Sequence, residues 1–462
     1  MKVVLLIDFG STFTKVTAVD IESEVILGCA SSFTTINTDI NEGLKKAINN
    51  LESKIGKLGN YECLACSSAA GGLKIVVSGL VENVTAKAAK EACLGAGAKV
   101  IKTYSYEMDE ENIKEIESIN PEIFILSGGT DGGDKKCILH NAKMISKSKS
   151  TFPIIIAGNR EVSYRCKDIL KEKEVYIVEN VMPKFGELNI YPLQNKIREI
   201  FLKNIIYAKG ISKIEDLISD IVMPTPSAVM SAIKLLAEGY EEEKGIGELM
   251  AFDLGGATTD VYSIASGLPQ SSNVIYKGIE EPYIKRTVEG DIGMRYSISG
   301  IVDEVGLEKI SEESNLTEEK TKEIIEYLIE NPDIVPNKKD LINLDSALAS
   351  NAIKISCNRH CGTKEEIYTS NGIAYLQKGK DLTDISKIIV TGGSLIYSSQ
   401  INKIIKQALY KEENSLSLTP KKADILIDKK SILSAMGLLA KSYPKTAIRI
   451  MKKELKYDEN QE

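Results

Sequence analysis

The sequence predicts an α/β chain of two related domains, the first carrying an inserted βαβ region. Three observations predict it. A short apolar strand running into an Asp–Gly turn opens the chain. The same strand-turn-strand pattern recurs about 245 residues later, as internal duplication requires. Between the copies, short apolar runs alternate with helix-length segments, the rhythm of parallel βαβ units.

The bulk properties agree. At roughly 150 residues per domain, a chain of 462 residues suits two or three domains. Apolar residues make up 43% and charged residues 27%, which is globular usage. A formal net charge of −7 argues against a nucleic-acid binder held by a broad basic surface. Tyr and Phe occur singly, which suits core packing better than base stacking. No run approaches the ~18 consecutive apolar residues of a membrane span. Residues 3–7 are too short for a signal-peptide apolar region. The expectation is a cytoplasmic protein with neither membrane nor nucleic acid as partner.

Taken in order, residues 2–7 read as a strand buried on both faces. The turn Asp8-Phe9-Gly10-Ser11-Thr12 follows, then β-rich residues 13–21 and 24–29. In the second copy, 249–252 is the strand, Asp253-Leu254-Gly255-Gly256-Ala257-Thr258 the turn, and 259–265 the return strand. Asp8 aligns with Asp253, Gly10 with Gly255, Thr14 with Thr259 and Val16 with Val261. Lys15 falls against Asp260, so the copies are not equivalent. Strands are expected at 122–126, 153–157 and 174–178, helical periodicity over 189–220, and an exposed linker at 241–245. Pro224-Thr225-Pro226-Ser227 caps the next helix. Further helices are expected at 317–330, 341–361, 400–410 and 431–441, with strands at 385–390 and 425–427.

A strand ending in Asp before a turn rich in Gly and hydroxyls is suited to phosphate. Glycines let backbone N–H groups face an anion without Cβ interference. Ser11, Thr12, Thr14 and Thr258 add hydroxyl donors, and Lys15 adds a positive charge. The carboxylates Asp8, Asp253 and Asp260 suit Mg²⁺, held mostly through its waters, and an attacking water. A third element, Thr391-Gly392-Gly393-Ser394, joins a buried strand to a helix and lets a flat ring approach the backbone. None of these fits the dinucleotide or P-loop glycine patterns.

Together the three motifs resemble the phosphate-1, phosphate-2 and adenosine motifs of the actin, hexokinase and heat-shock-chaperone ATPase superfamily. Ala435-Met436-Gly437-Leu438-Leu439-Ala440 resembles its second connecting helix. The resemblance implies two actin-like ATPase domains, ribonuclease-H-like mixed sheets flanked by helices, with Mg-ATP between them. The expected division is 1–245, with the insert at about 81–215, and 246–462, whose C-terminal helix returns to the first domain. The superfamily's roles map onto Asp8, Thr12 and Thr14, onto Asp253, Gly255, Gly256 and Thr258, and onto Gly392 and Gly393 beside the adenosine. Ala257 stands where many relatives have a third Gly.

Further motifs narrow the family. Cys66-Ser67-Ser68-Ala69-Ala70-Gly71-Gly72-Leu73, Leu126-Ser127-Gly128-Gly129-Thr130-Asp131-Gly132-Gly133 and Thr287-Val288-Glu289-Gly290-Asp291-Ile292-Gly293-Met294-Arg295 resemble the glutamate mutase accessory family. That resemblance implies an ATP-driven reactivating chaperone whose partner is an adenosylcobalamin-dependent mutase. A small-molecule kinase and an actin-like assembly ATPase are the alternatives on the same fold. For the kinase, Asp131 or Asp291 would be the acceptor base.

The eight cysteines are scattered, unlike a disulfide framework. Cys63 and Cys66, with Cys357, His360 and Cys361, could in principle make a soft-metal site; buried reduced thiols are the plainer reading.

Overall fold

The computed structural model describes residues 2–10, 13–35, 40–67, 73–208, 220–370 and 372–457. Two compact units emerge, Met1–Ala232 with Ser434–Ile450, and Ile233–Leu433 with Met451–Glu462.

In the first unit, strands β1 (Val3–Phe9), β2 (Phe13–Asp20), β3 (Val25–Phe33) and β4 (Tyr61–Ser67) precede a second set. That set is β5 (Lys74–Gly79), β6 (Lys99–Ser105), β7 (Ile123–Leu126), β8 (Ile154–Ile156) and β9 (Val175–Ile177). Strand β10 (Asp220–Pro224) then rejoins the first group, giving a sheet ordered β10-β4-β1-β2-β3. β2 is antiparallel to both neighbours, whereas β1, β4 and β10 run parallel. Every residue of β1 is buried, as a central strand covered on both faces requires.

The second set forms its own sheet, β6-β5-β7-β8-β9, parallel throughout. This is the inserted βαβ region. The helices Glu110–Ile119, Lys136–Ser146 and Ser163–Ile169 pack on one of its faces around Phe124, Leu126, Ile138 and Ile154.

The second unit opens with the short hairpin β11 (Gly239–Tyr240) and β12 (Glu243–Lys244), where the sequence suggested a linker. Its main strands are β13 (Leu249–Leu254), β14 (Thr259–Ile264), β15 (Val274–Tyr276) and β16 (Ile284–Glu289). They are followed by β17 (Thr363–Thr369), β18 (Gly372–Lys378), β19 (Lys387–Thr391), β20 (Asp424–Ile427) and β21 (Lys456–Tyr457). The large sheet runs β16-β14-β13-β19-β20-β21, while β15, β18 and β17 form a small one. Leaving aside the added edge β21, both large sheets have the order 3-2-1-4-5 with only the second strand reversed. That is the ribonuclease-H-like arrangement, present twice. The fold is therefore that of the two-domain actin-like ATPases.

Of the helix expected over 189–220, residues 209–219 lie outside the described residues, and at 220 the chain enters strand β10. The helix is Tyr191–Ala208, and the apolar residues before Pro224 pair with β4 instead. A short apolar run does not distinguish strand from helix by periodicity. Among the described residues no helix is long and apolar enough to cross a membrane.

The chain passes from the first unit to the second within the helix Thr225–Glu238 and returns within Leu433–Leu439. A Cβ on Gly437 would lie 1.7 Å from the carbonyl oxygen of Ala228, so only glycine permits this helix approach. Gly437→Val is expected to lower stability by about 1–3 kcal/mol or more through overpacking, read as a fall in melting temperature. A melting temperature unchanged from wild type would show that the helices do not meet there.

Candidate functional site

The two Asp–Gly turns are closed by the same hydrogen bond. The amide of Gly10 donates to the carbonyl of Phe13 at 3.1 Å, and that of Gly255 to the carbonyl of Thr258 at 2.9 Å. A Cβ on Gly10 would sit 2.6 Å from the Phe13 oxygen, and one on Gly255 3.0 Å from the Thr258 oxygen. The turn itself thus requires glycine at position 10, whereas at 255 a Cβ would press against the Thr258 carbonyl. Ser11 and Thr12 lie outside the described residues.

Asp8 is the penultimate residue of β1 and is 7% exposed. Its Oδ1 accepts from Thr225 Oγ1 at 2.6 Å and its Oδ2 from Ser434 Oγ at 2.9 Å. Thr14 is fully buried and reaches the turn through a relay. Its hydroxyl lies 3.0 Å from Thr34 Oγ1, and Thr34 donates to the Gly10 carbonyl at 2.9 Å. Lys15 pairs directly with Asp8 across the β1–β2 ladder and is half-buried.

In the second unit, Asp253 is half-buried and pairs across the ladder with Asp260. Like charges directly opposite in a sheet destabilise it. Arg286, on the next strand, relieves this, with its Nε 2.7 Å and its Nη2 2.6 Å from Asp260 Oδ1. The carboxylate of Asp260 is therefore tied into a buried ion pair, and Tyr262, kept protonated by burial, borders the same pair. Gly255, Gly256, Ala257 and Thr258 are all half-buried.

Residues 293–296 brace this turn from behind. The amides of Met294, Arg295 and Tyr296 donate to the carbonyls of Gly255 and Gly256 at 2.8–3.1 Å. A Cβ on Gly293 would meet the Ala257 carbonyl carbon at 2.5 Å, which accounts for that glycine in the motif. Arg295 is anchored in turn by Asp345 at 2.9 Å. Burial pushes the Asp345 carboxyl up, although Arg295 pulls it back down.

The third turn abuts the second. Gly392 has φ of +93°, and a Cβ there would lie 2.3 Å from the Leu254 carbonyl oxygen. Gly393 faces open space, and Ser394 is half-buried beside it. Asp428 clamps the turn, accepting from Thr391 Oγ1 and from the amides of Ile432 and Leu433 at 2.8–3.1 Å.

These turns fit a nucleotide phosphate tail and Mg²⁺ by their donor chemistry. Mg²⁺ keeps several waters and takes one or two carboxylates together with phosphates, so it needs no dedicated protein cage. Each unit carries one carboxylate of this kind at its turn, Asp8 in the first and Asp253 in the second. The structure adds Thr225, Ser434, Thr34, Arg286 and Asp428, none of which the sequence identified as part of a site. The signal for Thr225 was present, but it read only as a helix cap.

Residues 4–455 match the family model described as MutL protein. The chain is 45% identical over 459 residues to Protein MutL of Clostridium tetanomorphum, covering 98% of this chain and 99% of that protein. The chain belongs to the MutL family. This is the glutamate mutase accessory family that the motifs resemble. Solved structures align more loosely. Component A of (R)-2-hydroxyglutaryl-CoA dehydratase from Acidaminococcus fermentans is 9% identical, with TM-score 0.35, over 97% of this chain and 100% of that one. A ligand-bound xylulose kinase from Lactobacillus acidophilus is 10% identical, with TM-score 0.38, over 99% and 93%. The fold assignment rests on strand order.

Several other polar residues of this MutL-family chain have structural partners. Asp131 accepts from the Arg160 amide at 3.0 Å and from Asn180 Nδ2 at 2.9 Å, stitching three loops of the insert together. Glu289, Asp291 and Glu304 surround Arg359 at 2.8–3.4 Å. Among the described residues no group of three or more His, Cys, Asp or Glu could hold a metal. Burial pushes the Cys63 thiol up to about 12. Cys357 and Cys361 lie 3.7 Å apart as thiols.

His360 is fully buried, its Nδ1 2.9 Å from Thr287 Oγ1 and its Nε2 2.8 Å from Ser263 Oγ. Burial, with Lys285 and Lys380 nearby, holds its pKa well below the usual 6.5. Folded His360 is neutral, while unfolded His360 gains a proton near pH 6.5. Its contribution to stability is therefore present above that pH and is lost as pH falls, by up to ~1.4 kcal/mol per pH unit. Between pH 7 and 5 the melting temperature should fall more steeply for wild type than for His360→Asn. Equal slopes would mean that His360 does not control acid stability.

Proposed function

We propose that the chain is an ATP-driven reactivating chaperone for an adenosylcobalamin-dependent mutase, with glutamate (methylaspartate) mutase as its partner and the cytoplasm as its workplace. One observation carries the ATPase reading. The same Asp–Gly turn, closed by the same hydrogen bond, ends the central strand of both ribonuclease-H-like sheets. The mutase as partner rests on membership of the glutamate mutase accessory family.

In this reading Gly10, Ser11, Thr12, Thr14 and Lys15 serve the phosphates from the first turn. Gly255, Gly256, Ala257 and Thr258 serve them from the second, and Gly392, Gly393 and Ser394 the adenosine. Asp8 and Asp253 would hold Mg²⁺, which supplies charge neutralisation on the phosphates when bound. Asp253 also orients the attacking water. Asp260, paired with Arg286, acts on Asp253 through the field of that ion pair. The inserted sheet is the proposed partner-facing part, because the nucleotide motifs lie outside it.

Release of tightly held, damaged cobalamin requires a chaperone whose affinity differs between open and closed mutase, since an agent binding both equally shifts nothing. Hydrolysis resets that difference and lets one chaperone act repeatedly.

Mg-ATP and Mg-ADP at millimolar concentration should raise the melting temperature, because a ligand of the native state stabilises it. Asp253→Asn should keep that shift while losing nearly all phosphate release. No shift in wild type would sink the nucleotide reading, and normal turnover in the variant would sink the role of Asp253.

Mutase trapped with damaged cobalamin should regain activity only with this protein, ATP, Mg²⁺ and fresh adenosylcobalamin together. The Asp253→Asn protein should give at most stoichiometric release. Catalytic rescue by that variant would point to passive binding. Failure of wild type, coupled with formation of a phosphorylated metabolite, would point to a kinase.

A further inference from the structure

We infer that Thr225 and Ser434 are positioning residues that fix the orientation of the Asp8 carboxylate toward the waters of nucleotide-bound Mg²⁺; this rests on the ATPase reading above.

The geometry is specific. Asp8 is 7% exposed, and each carboxylate oxygen receives one hydroxyl, Thr225 at 2.6 Å on Oδ1 and Ser434 at 2.9 Å on Oδ2. The two donors come from separate helices, each near its first residue. Their spacing is set where Gly437 meets the Ala228 backbone, which admits no Cβ. The donors are thus fixed by backbone packing rather than by flexible side chains.

The choice of donor matters. A carboxylate offers about four lone-pair sites, so one hydroxyl on each oxygen leaves capacity on both. Hydroxyls carry no charge and do not compete with a cation for the carboxylate. Asp260 is the contrast, since Arg286 hydrogen-bonds it directly, whereas Lys15 stands opposite Asp8 in the ladder. Cys66 lies beside Thr225. Its Sγ lies 3.6 Å from Thr225 Oγ1, and burial, reinforced by Asp8, keeps it a thiol. Thr225 and Ser434 thus settle the orientation of Asp8 without adding a charge of their own.

The test uses the full chain with Thr225→Val, Ser434→Ala and the conservative Thr225→Ser. Two quantities are measured: ATP turnover titrated with Mg²⁺, and melting temperature without nucleotide or metal. Losing a hydrogen bond to a charged group should raise the half-saturating Mg²⁺ concentration roughly tenfold in each deletion variant. Turnover at saturating Mg²⁺ should fall less, and Thr225→Ser should stay near wild type. An unchanged half-saturating concentration overturns the inference, whether or not the melting temperature falls, because the hydroxyls would then be only structural. Should the valine variant fail to fold, Ser434→Ala removes a smaller group and gives the same readout. If wild type itself shows no Mg²⁺-dependent nucleotide binding, the ATPase reading fails and takes this inference with it. That outcome is visible before any variant is compared.

Discussion

The structure depends on placing a carboxylate at the end of a strand that is otherwise buried on both faces. Such a group must find donors, because desolvating an unpaired charge costs far more than one strand contact supplies. The two units meet this demand differently. In the first, Asp8 faces Lys15 across the ladder and takes neutral hydroxyls from two helices. In the second, Asp253 faces another carboxylate, and Arg286 on the third strand removes the repulsion by pairing with Asp260. A duplicated fold has therefore become asymmetric at the carboxylates that end its central strands.

Backbone proximity is the second theme. Gly10 and Gly255 close their turns, Gly293 and Gly392 let neighbouring segments reach the second turn, and Gly437 lets one helix touch another. At each position a Cβ would lie within van der Waals distance of a carbonyl group. The glycines read as phosphate-facing residues therefore also keep the turns in shape. The two roles are compatible, since a turn with its own hydrogen bond already made is rigid before a ligand arrives.

The inserted sheet is built on different rules. It is fully parallel, and its loops are fastened to one another by Asp131, Asn159 and Asn180 rather than left open. Asp131 was a candidate acceptor base in the sequence. Its role in the fold is to hold the loops after three strands in place, which gives the insert a preorganised rim.

Much of the fold was legible because it is written locally. The apolar runs at 3–7 and 249–252, each followed by Asp and Gly, specify a buried strand and a turn without reference to anything distant. Their recurrence was enough to expect two related sheets. β10 was not legible, because its few apolar residues become a strand only by pairing with β4. Nor was the small sheet of β15, β17 and β18.

The candidate site divides in the same way. Asp8, Asp253 and the turn glycines could be named from sequence, since hydrogen bonds over three residues define their geometry. Thr225, Ser434 and Arg286 could not, because a hydroxyl or guanidinium has no local signature of the carboxylate it serves. Thr225 and Ser434 stand far from Asp8 in the chain and reach it only when both helices have packed. The sequence by itself determined which backbone turns exist and which acids end them. Only the tertiary structure decided which distant donors hold those acids, because such hydrogen bonds depend on helix packing and strand pairing rather than on neighbours in the chain.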